Sequence, residues 1–358
     1  MTYYFRRKED LAAACLLQSI AVFDDLFLAA GRENEPSLRL KECLRVYFEF
    51  RREIARGRRP APMQFDDIRA LATPAREPVI AAYTQMFRRA RALFDMPDAD
   101  PSGRGARNAK AHLLLSWLLW TPAWIHRYDE EDYGGIAERM SDIVLNGLGG
   151  RKADRSFLKQ SVALGTENSG LRESFLRVAT RLINEQGYRG ASVEKISALL
   201  NVTKGSFYHH NENKNDLVRD CFERTFAVIR TAQNQAAAVG CSGWERLGIA
   251  ISSLIQYQLS NEGPLLRSTA LYALPEAIRH KTVGRMNRLS DRFAGVVIDG
   301  MRDGSVRPVD PVIAGELVNS MINGAAELSS WAPGLAAEAA AELYIEPLLT
   351  GLSPPSGQ

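Results

Sequence analysis

Residues 187–217 read GYRGASVEKISALLNVTKGSFYHHNENKNDL. Just upstream, Leu171, Phe175, Val178 and Leu182 recur at helical spacing, and the run stops at Gly187, which suits a left-handed αL C-cap. Gly187-Tyr188-Arg189-Gly190-Ala191 supplies a turn. Ser192 then stands where an N-cap hydroxyl satisfies the orphan amides of a second helix, on which Val193, Ile196 and Leu200 share one side. Asn201-Val202 breaks that helix, and Thr203 is placed to cap a third running through His209. Lys214-Asn215-Asp216-Leu217 opens a fourth. The spacing predicts three short helices and the start of a fourth, the second and third joined by a tight turn.

A helix-turn-helix lays the amino end of its second helix in the DNA major groove, where backbone and base edges come close. Small residues suit that end. Gly205 permits close approach at a propensity cost of about 1 kcal/mol relative to alanine. The exposed N–H groups and positive dipole end of the helix attract phosphate. Thr203 and Ser206 offer hydroxyls, Lys204 reaches a guanine edge or a phosphate, and Tyr208 and Lys214 reach phosphates. His209 and His210 donate hydrogen bonds even when neutral, and Ser192 completes the candidate DNA-binding set. The competing reading is a helical hairpin without DNA contact, against which caps, turns and apolar spacing all agree on a helix-turn-helix. A metal at His209-His210 is disfavoured, because adjacent histidines do not share a helix face and no third ligand is spaced for zinc.

The stretch from Phe175 to Leu217, with its order of turn, short helix, Asn-Val turn, Thr-Lys-Gly-Ser, aromatic-rich end and Lys-x-Asp-Leu, resembles the DNA-binding head of the TetR family of bacterial repressors. The resemblance implies an all-α fold, a homodimer whose carboxy-terminal helices pair, an operator with two half-sites, and release from DNA when a small molecule enters the helical ligand domain. It places Thr203, Lys204, Gly205, Ser206, Tyr208, His209 and Lys214 at contact positions. One departure is Asn211, where the family usually carries an aromatic residue that packs the recognition helix against the head.

Outward from the head, the chain repeats itself. Displacing the sequence by 206 positions sets Lys8, Asp10, Leu11 and Cys15 on Lys214, Asp216, Leu217 and Cys221. Near the other ends a displacement of 204 sets Ala137, Glu138, Leu145, Gly147 and Leu148 on Ala341, Glu342, Leu349, Gly351 and Leu352. Two copies of one body are implied. Met1 falls on Phe207, so residues 171–206 have no counterpart in the first copy, although Phe5 keeps the aromatic missing at Asn211. The expected organisation is a helical body with a truncated head over 1–148, a polar, glycine-bearing linker over 149–170, the head over 171–218, a second helical ligand and dimerisation body over 219–352, and a flexible tail over 353–358. Two arrangements stay open. Either the copies pair through their terminal helices as an intramolecular pseudo-dimer with one head per chain, two chains then presenting recognition helices about 34–36 Å apart; or translation starts upstream of Met1 and restores a second head.

The remaining features narrow the class. The 358 residues are 46% apolar and 24% charged, an ordinary globular balance, and a net charge of +3 places any electrostatic case at local patches. Cys15, Cys43, Cys221 and Cys241 form no C-x-x-C pair, which fits a reduced cytoplasm. The most apolar window, Ala111–Ile125, contains His112 and Pro122 and is shorter than the ~20 residues of a membrane helix, so no membrane partner is expected. Trp117, Trp120 and Trp124 recur at i, i+3 and i+7 with Tyr128 a turn later, a stripe read as core or dimer packing or as the wall of an aromatic effector pocket. Arg51, Arg52, Arg56, Arg58 and Arg59 read as a solvated face in preference to a phosphate site. Neither a P-loop, G-x-S-x-G, H-E-x-x-H nor a complete dinucleotide fingerprint occurs, so no enzyme and no cofactor is expected. The reading is an all-α, cytoplasmic, DNA-binding transcriptional regulator, a repressor controlled by an unidentified small-molecule effector. The alternative is an interaction or effector-binding module that has lost specific DNA binding.

Overall fold

Twelve α-helices and several short 3-10 turns make up the regular structure of the residues that the computed structural model describes, namely 7–95, 103–153, 160–165, 170–203, 205, 213–327 and 337–352. No strand occurs among them, and an isolated antiparallel bridge joins Gly149 to Val306. The fold is all-α, as the periodicity predicts. The chain divides into two compact units, residues 1–148 together with 346–358, and residues 149–345. The tail 353–358 and the linker segments 154–159 and 166–169 lie outside the described residues.

The first unit holds α1 (Lys8–Ala30), α2 (Pro36–Ala55), α3 (Arg76–Ala92), α4 (Arg104–Trp120) and α5 (Tyr133–Asn146). Pro36 opens α2 at a position whose amide needs no partner. By length and composition α1 is apolar enough to cross a membrane, with a mean hydropathy of 1.8 over 18 residues. Among the described residues it is α1, and not residues 111–125, that has the length and composition of a span. In the structure Leu16, Ile20, Phe23 and Phe27 of α1 are buried, and the helix packs on α2 and α3. Phe23 meets Phe65 edge-on at 5.3 Å, and the buried Tyr47 hydroxyl donates to the Leu118 carbonyl. The last turns of the chain also belong to this unit, because Leu348, Leu349 and Leu352 bury their side chains there.

The second unit holds α6 (Leu171–Gly190), α7 (Val193–Leu199), α8 (Lys214–Val239), α9 (Gly243–Leu259), α10 (Glu276–Asp303), α11 (Pro311–Gly324) and the start of α12 (Ala337–Thr350). Their starts follow capping chemistry. The Asn213 side chain accepts from Asn215 N and Asp216 N at 2.9 and 3.1 Å, Ser242 and Glu245 form a capping box, and Asp310 accepts from Val312 N and Ile313 N ahead of Pro311. Helices α9 and α10 cross where a Cβ on Gly243 would lie 2.2 Å from the Gly300 amide nitrogen, so Gly243 has no room for a side chain without the helices moving apart.

The repeat is visible element by element. Helices α1 and α8, α2 and α9, and α5 and α12 fall at matching positions of the two copies, as do the 3-10 turns Phe65–Ala70 and Ser268–Ala273. Cys43 and Cys221 are fully buried, and burial pushes each thiol up to about 12, whereas Cys241 is exposed. Iodoacetamide at pH 8 should therefore modify Cys241 in the native protein and reach Cys43 and Cys221 only on unfolding, as peptide mass mapping would read. Labelling of Cys221 at the rate of Cys241 would contradict this packing.

Candidate nucleic-acid interface

Three described elements build the head. Phe175, Ala179, Leu182 and Ile183 from α6, Ile196 from α7, and Leu217, Val218 and Cys221 from α8 are buried, and α6 packs on both partners. At Gly187 the backbone turns to φ 73, ψ 170. The helical run breaks there, as its spacing predicts, but in an extended positive-φ conformation, and a further turn follows before α7. Ser192 caps α7, its hydroxyl accepting from Lys195 N at 3.3 Å. Lys195 in turn ties its ammonium to Gln186 Oε1 at 2.8 Å and to the Gly190 carbonyl at 3.1 Å, which fixes the turn between α6 and α7.

The far end of α7 closes in a Schellman motif. Asn201 adopts φ 54, in the left-handed region that asparagine tolerates. Its amide donates to the Ala198 carbonyl at 3.1 Å, and the Val202 amide donates to the Ser197 carbonyl at 3.0 Å. This is the tight turn that Asn201-Val202 predicts. Beyond it Thr203 and Gly205 are exposed, and Gly205 has helical backbone. Among the described residues, a Cβ on Gly205 would meet only Thr203 Oγ1, at an ordinary 3.7 Å. The described interior therefore gives no steric reason for glycine there. Lys204, Ser206, Tyr208, His209 and His210, together with Asn211, lie outside the described residues.

Lys214, expected at a phosphate, has its ammonium on the Tyr188 carbonyl and 4.2 Å from the centre of the Tyr188 ring. Partial burial lowers its pKa, with the Glu194 carboxylate opposing, and burial raises that of Tyr188. The Tyr188 hydroxyl donates to Asn215 Oδ1 at 2.8 Å. Tyr188 thus clamps the start of α8 to the end of α6, a role the sequence reading missed. The available signal was an aromatic residue inside an otherwise small and polar turn.

A second missed feature joins the head to its body. Arg224 on α8, 6% exposed, donates to Glu173 Oε1 on α6 at 2.5 Å, to the Tyr257 hydroxyl at 2.7 Å and to the Glu262 carbonyl at 2.8 Å. Arg177 of α6 reaches Glu262 Oε2 at 2.8 Å. Asn184 brackets the same segment, donating to the Leu265 carbonyl at 2.8 Å and accepting from Arg267 N at 3.1 Å. Residues 262–267 are strapped between α6 and the body by side chains from both.

In the first unit Trp117, Trp120 and Trp124 are buried. They do not form one helix face: α4 ends at Trp120, since Pro122 has no amide to continue it, and beyond it Trp124 separates two 3-10 turns and Tyr128 follows the second, the two rings edge-on at 6.1 Å. A groove of about 700 Å³ in this unit is lined instead by α2 and α5, including Lys41, Arg45, Phe48, Arg52, Glu138 and Asp142. The basic run is largely paired, Arg52 with Glu49 at 2.8 Å, Arg56 with Glu130 at 3.0 Å and Arg58 with Glu53 at 2.6 Å, which favours the solvated face.

Comparison with known proteins follows this division of the chain. Residues 175–221 match the family described as bacterial regulatory proteins, tetR family, and residues 240–352 match the tetracyclin repressor-like C-terminal domain. The TetC protein of transposon Tn10 from Escherichia coli is 30% identical over 94 residues, which cover 26% of this chain and 47% of that protein. The chain thus spans about half the length of that relative. The HTH-type transcriptional repressor DhaR of Mycobacterium sp. strain GP1 is 26% identical over 140 residues, 38% of this chain and 70% of the repressor. Among solved structures, the TetR family transcriptional regulator PfmR from Thermus thermophilus aligns with a TM-score of 0.42 at 23% identity, covering 50% of this chain and 99% of its own. A TetR-family regulator from Bordetella parapertussis aligns at 0.42 and 21% identity, covering 51% and 96%.

Proposed function

We propose that the chain is a cytoplasmic, DNA-binding transcriptional repressor of the TetR type whose hold on an operator is modulated by a small molecule, a reading supported by the family matches over residues 175–221 and 240–352. The observation that carries the reading is the α7 turn: a capped helix, a left-handed Asn201 and an exposed Gly205 whose missing side chain no described neighbour requires. A duplex backbone or base edge approaching that point gives the glycine a reason. In this reading Thr203, Lys204 and Ser206 lie at the groove, Tyr208, His209 and His210 along its wall, and Ser192 and Lys214 near the flanking phosphates. Lys214 would exchange its Tyr188 carbonyl for a phosphate oxygen, a stronger acceptor for an ammonium. Trp117, Trp120, Trp124 and Tyr128 remain the proposed effector wall, reached by an effector that displaces part of the aromatic packing.

Electrophoretic retardation of fragments flanking the gene tests the proposal. Specific retardation is expected, with Lys204→Ala weakening it about 5- to 150-fold if the lysine reads a base, or lowering the salt slope by about one if it holds a phosphate. Binding indifferent to sequence, unchanged by Lys204→Ala and Tyr208→Phe, would overturn it and leave the interaction-module reading.

A further inference from the structure

The two copies end on matching motifs, Leu145-Asn146-Gly147-Leu148 and Leu349-Thr350-Gly351-Leu352. Within the first unit these ends meet. The Leu148 amide donates to the Leu348 carbonyl at 3.1 Å, and the Leu352 amide donates to the Val144 carbonyl at 2.7 Å. Residues 144 and 348, and 148 and 352, are equivalent under the 204-residue displacement, so the two bonds are one bond formed twice. The glycines repeat the relation. Gly147 has φ 67 and Gly351 φ 90; a Cβ on the first would lie 2.4 Å from the Leu349 carbonyl oxygen, and on the second 2.1 Å from that of Leu145. Residues 145 and 349 are again equivalent. Leu145, Leu148, Leu348, Leu349 and Leu352 are all buried.

Residue i on j with j on i is the mark of an isologous contact about a two-fold axis, which in a homodimer needs two chains. Here one chain supplies both sides. Positive φ and backbone contact at both glycines leave no room for a third strand of chain at this seam. We propose that this internal closure replaces a homodimer interface, so that the protein is a monomer in solution. The closure does not rest on the regulator reading of the head.

Sedimentation equilibrium of the full chain without DNA, from about 1 to 50 μM, should give one species of 39.7 kDa. A concentration-dependent species of twice that mass overturns the closure. Asn146 and Thr350 are exposed equivalents beside the seam. In a Cys241→Ser background, Asn146→Cys with Thr350→Cys should cross-link with a short bis-maleimide within one chain, migrating as a monomer. A product of doubled mass again overturns it.

Discussion

Replacing Arg224 by alanine should lower the stability of the second unit by about 3–5 kcal/mol, the range for removing one partner of a buried ion pair. The cost comes from what is left behind. Glu173, its side chain 12% exposed, would lose its guanidinium partner, and the Tyr257 hydroxyl and the Glu262 carbonyl would each lose a donor. For a unit of roughly 200 residues this corresponds to a fall in Tm of about 6–20 °C. Arg224→Met combined with Glu173→Leu should recover most of the loss, because a well-packed apolar pair can stand in for a buried salt bridge at little net cost. Urea titration followed by circular dichroism checks both. A single-variant loss under about 1 kcal/mol would mean that water already reaches the pair and that the strap over 262–267 is held by Asn184 and Arg177 alone.

Arg224 also marks where the sequence was readable and where it was not. Helix periods, the Ser192 cap, the Asn201 turn and the repeat all depend on neighbours a few residues apart, and the structure has them at the expected places. Arg224 joins residues 33 to 51 positions away, and no local pattern encodes that. A hint was nonetheless present in the repeat: the equivalent of Arg224 in the first copy is Gln18, which is exposed there. A charged residue set among Cys221, Phe222, Thr225 and Phe226, where the first copy carries an uncharged one, points to a contact beyond its own helix. The reciprocal seam at Gly147 and Gly351 was half legible. The matched motifs were seen, but their meeting depends on backbone conformations that two short glycine motifs do not specify alone. The aromatic stripe failed for a local reason, since a 3.6-residue period extrapolated through Pro122 assumes a helix that proline stops.

Trp117→Ala should destabilise the first unit by about 3–5 kcal/mol, the cost of removing a large buried aromatic side chain together with the cavity it leaves. Trp117 is 1% exposed on α4, one of the largest fully buried side chains of the chain, so its indole contributes packing in the ligand-free state whatever else it does. The same variant separates the two readings of the aromatic group. If the residue only fills the core, Trp117→Ala lowers Tm, and no small molecule changes the intrinsic fluorescence of the wild type. If the group also walls an effector site, a ligand that quenches the wild type should stabilise it by mass action, by about 2.7 kcal/mol at a hundredfold excess over Kd, and so raise its Tm. In Trp117→Ala that ligand's affinity should change by an amount set by the lost contact, while the intrinsic stability deficit remains in its absence. Trp124→Phe is the companion measurement. It keeps an aromatic ring beside Tyr128, which meets Trp124 at 6.1 Å, so it should cost less stability than truncation. Equal losses for Trp117→Ala and Trp124→Phe would show that the cluster depends on indole volume throughout, and a ligand response surviving both substitutions unchanged would remove these residues from the effector wall.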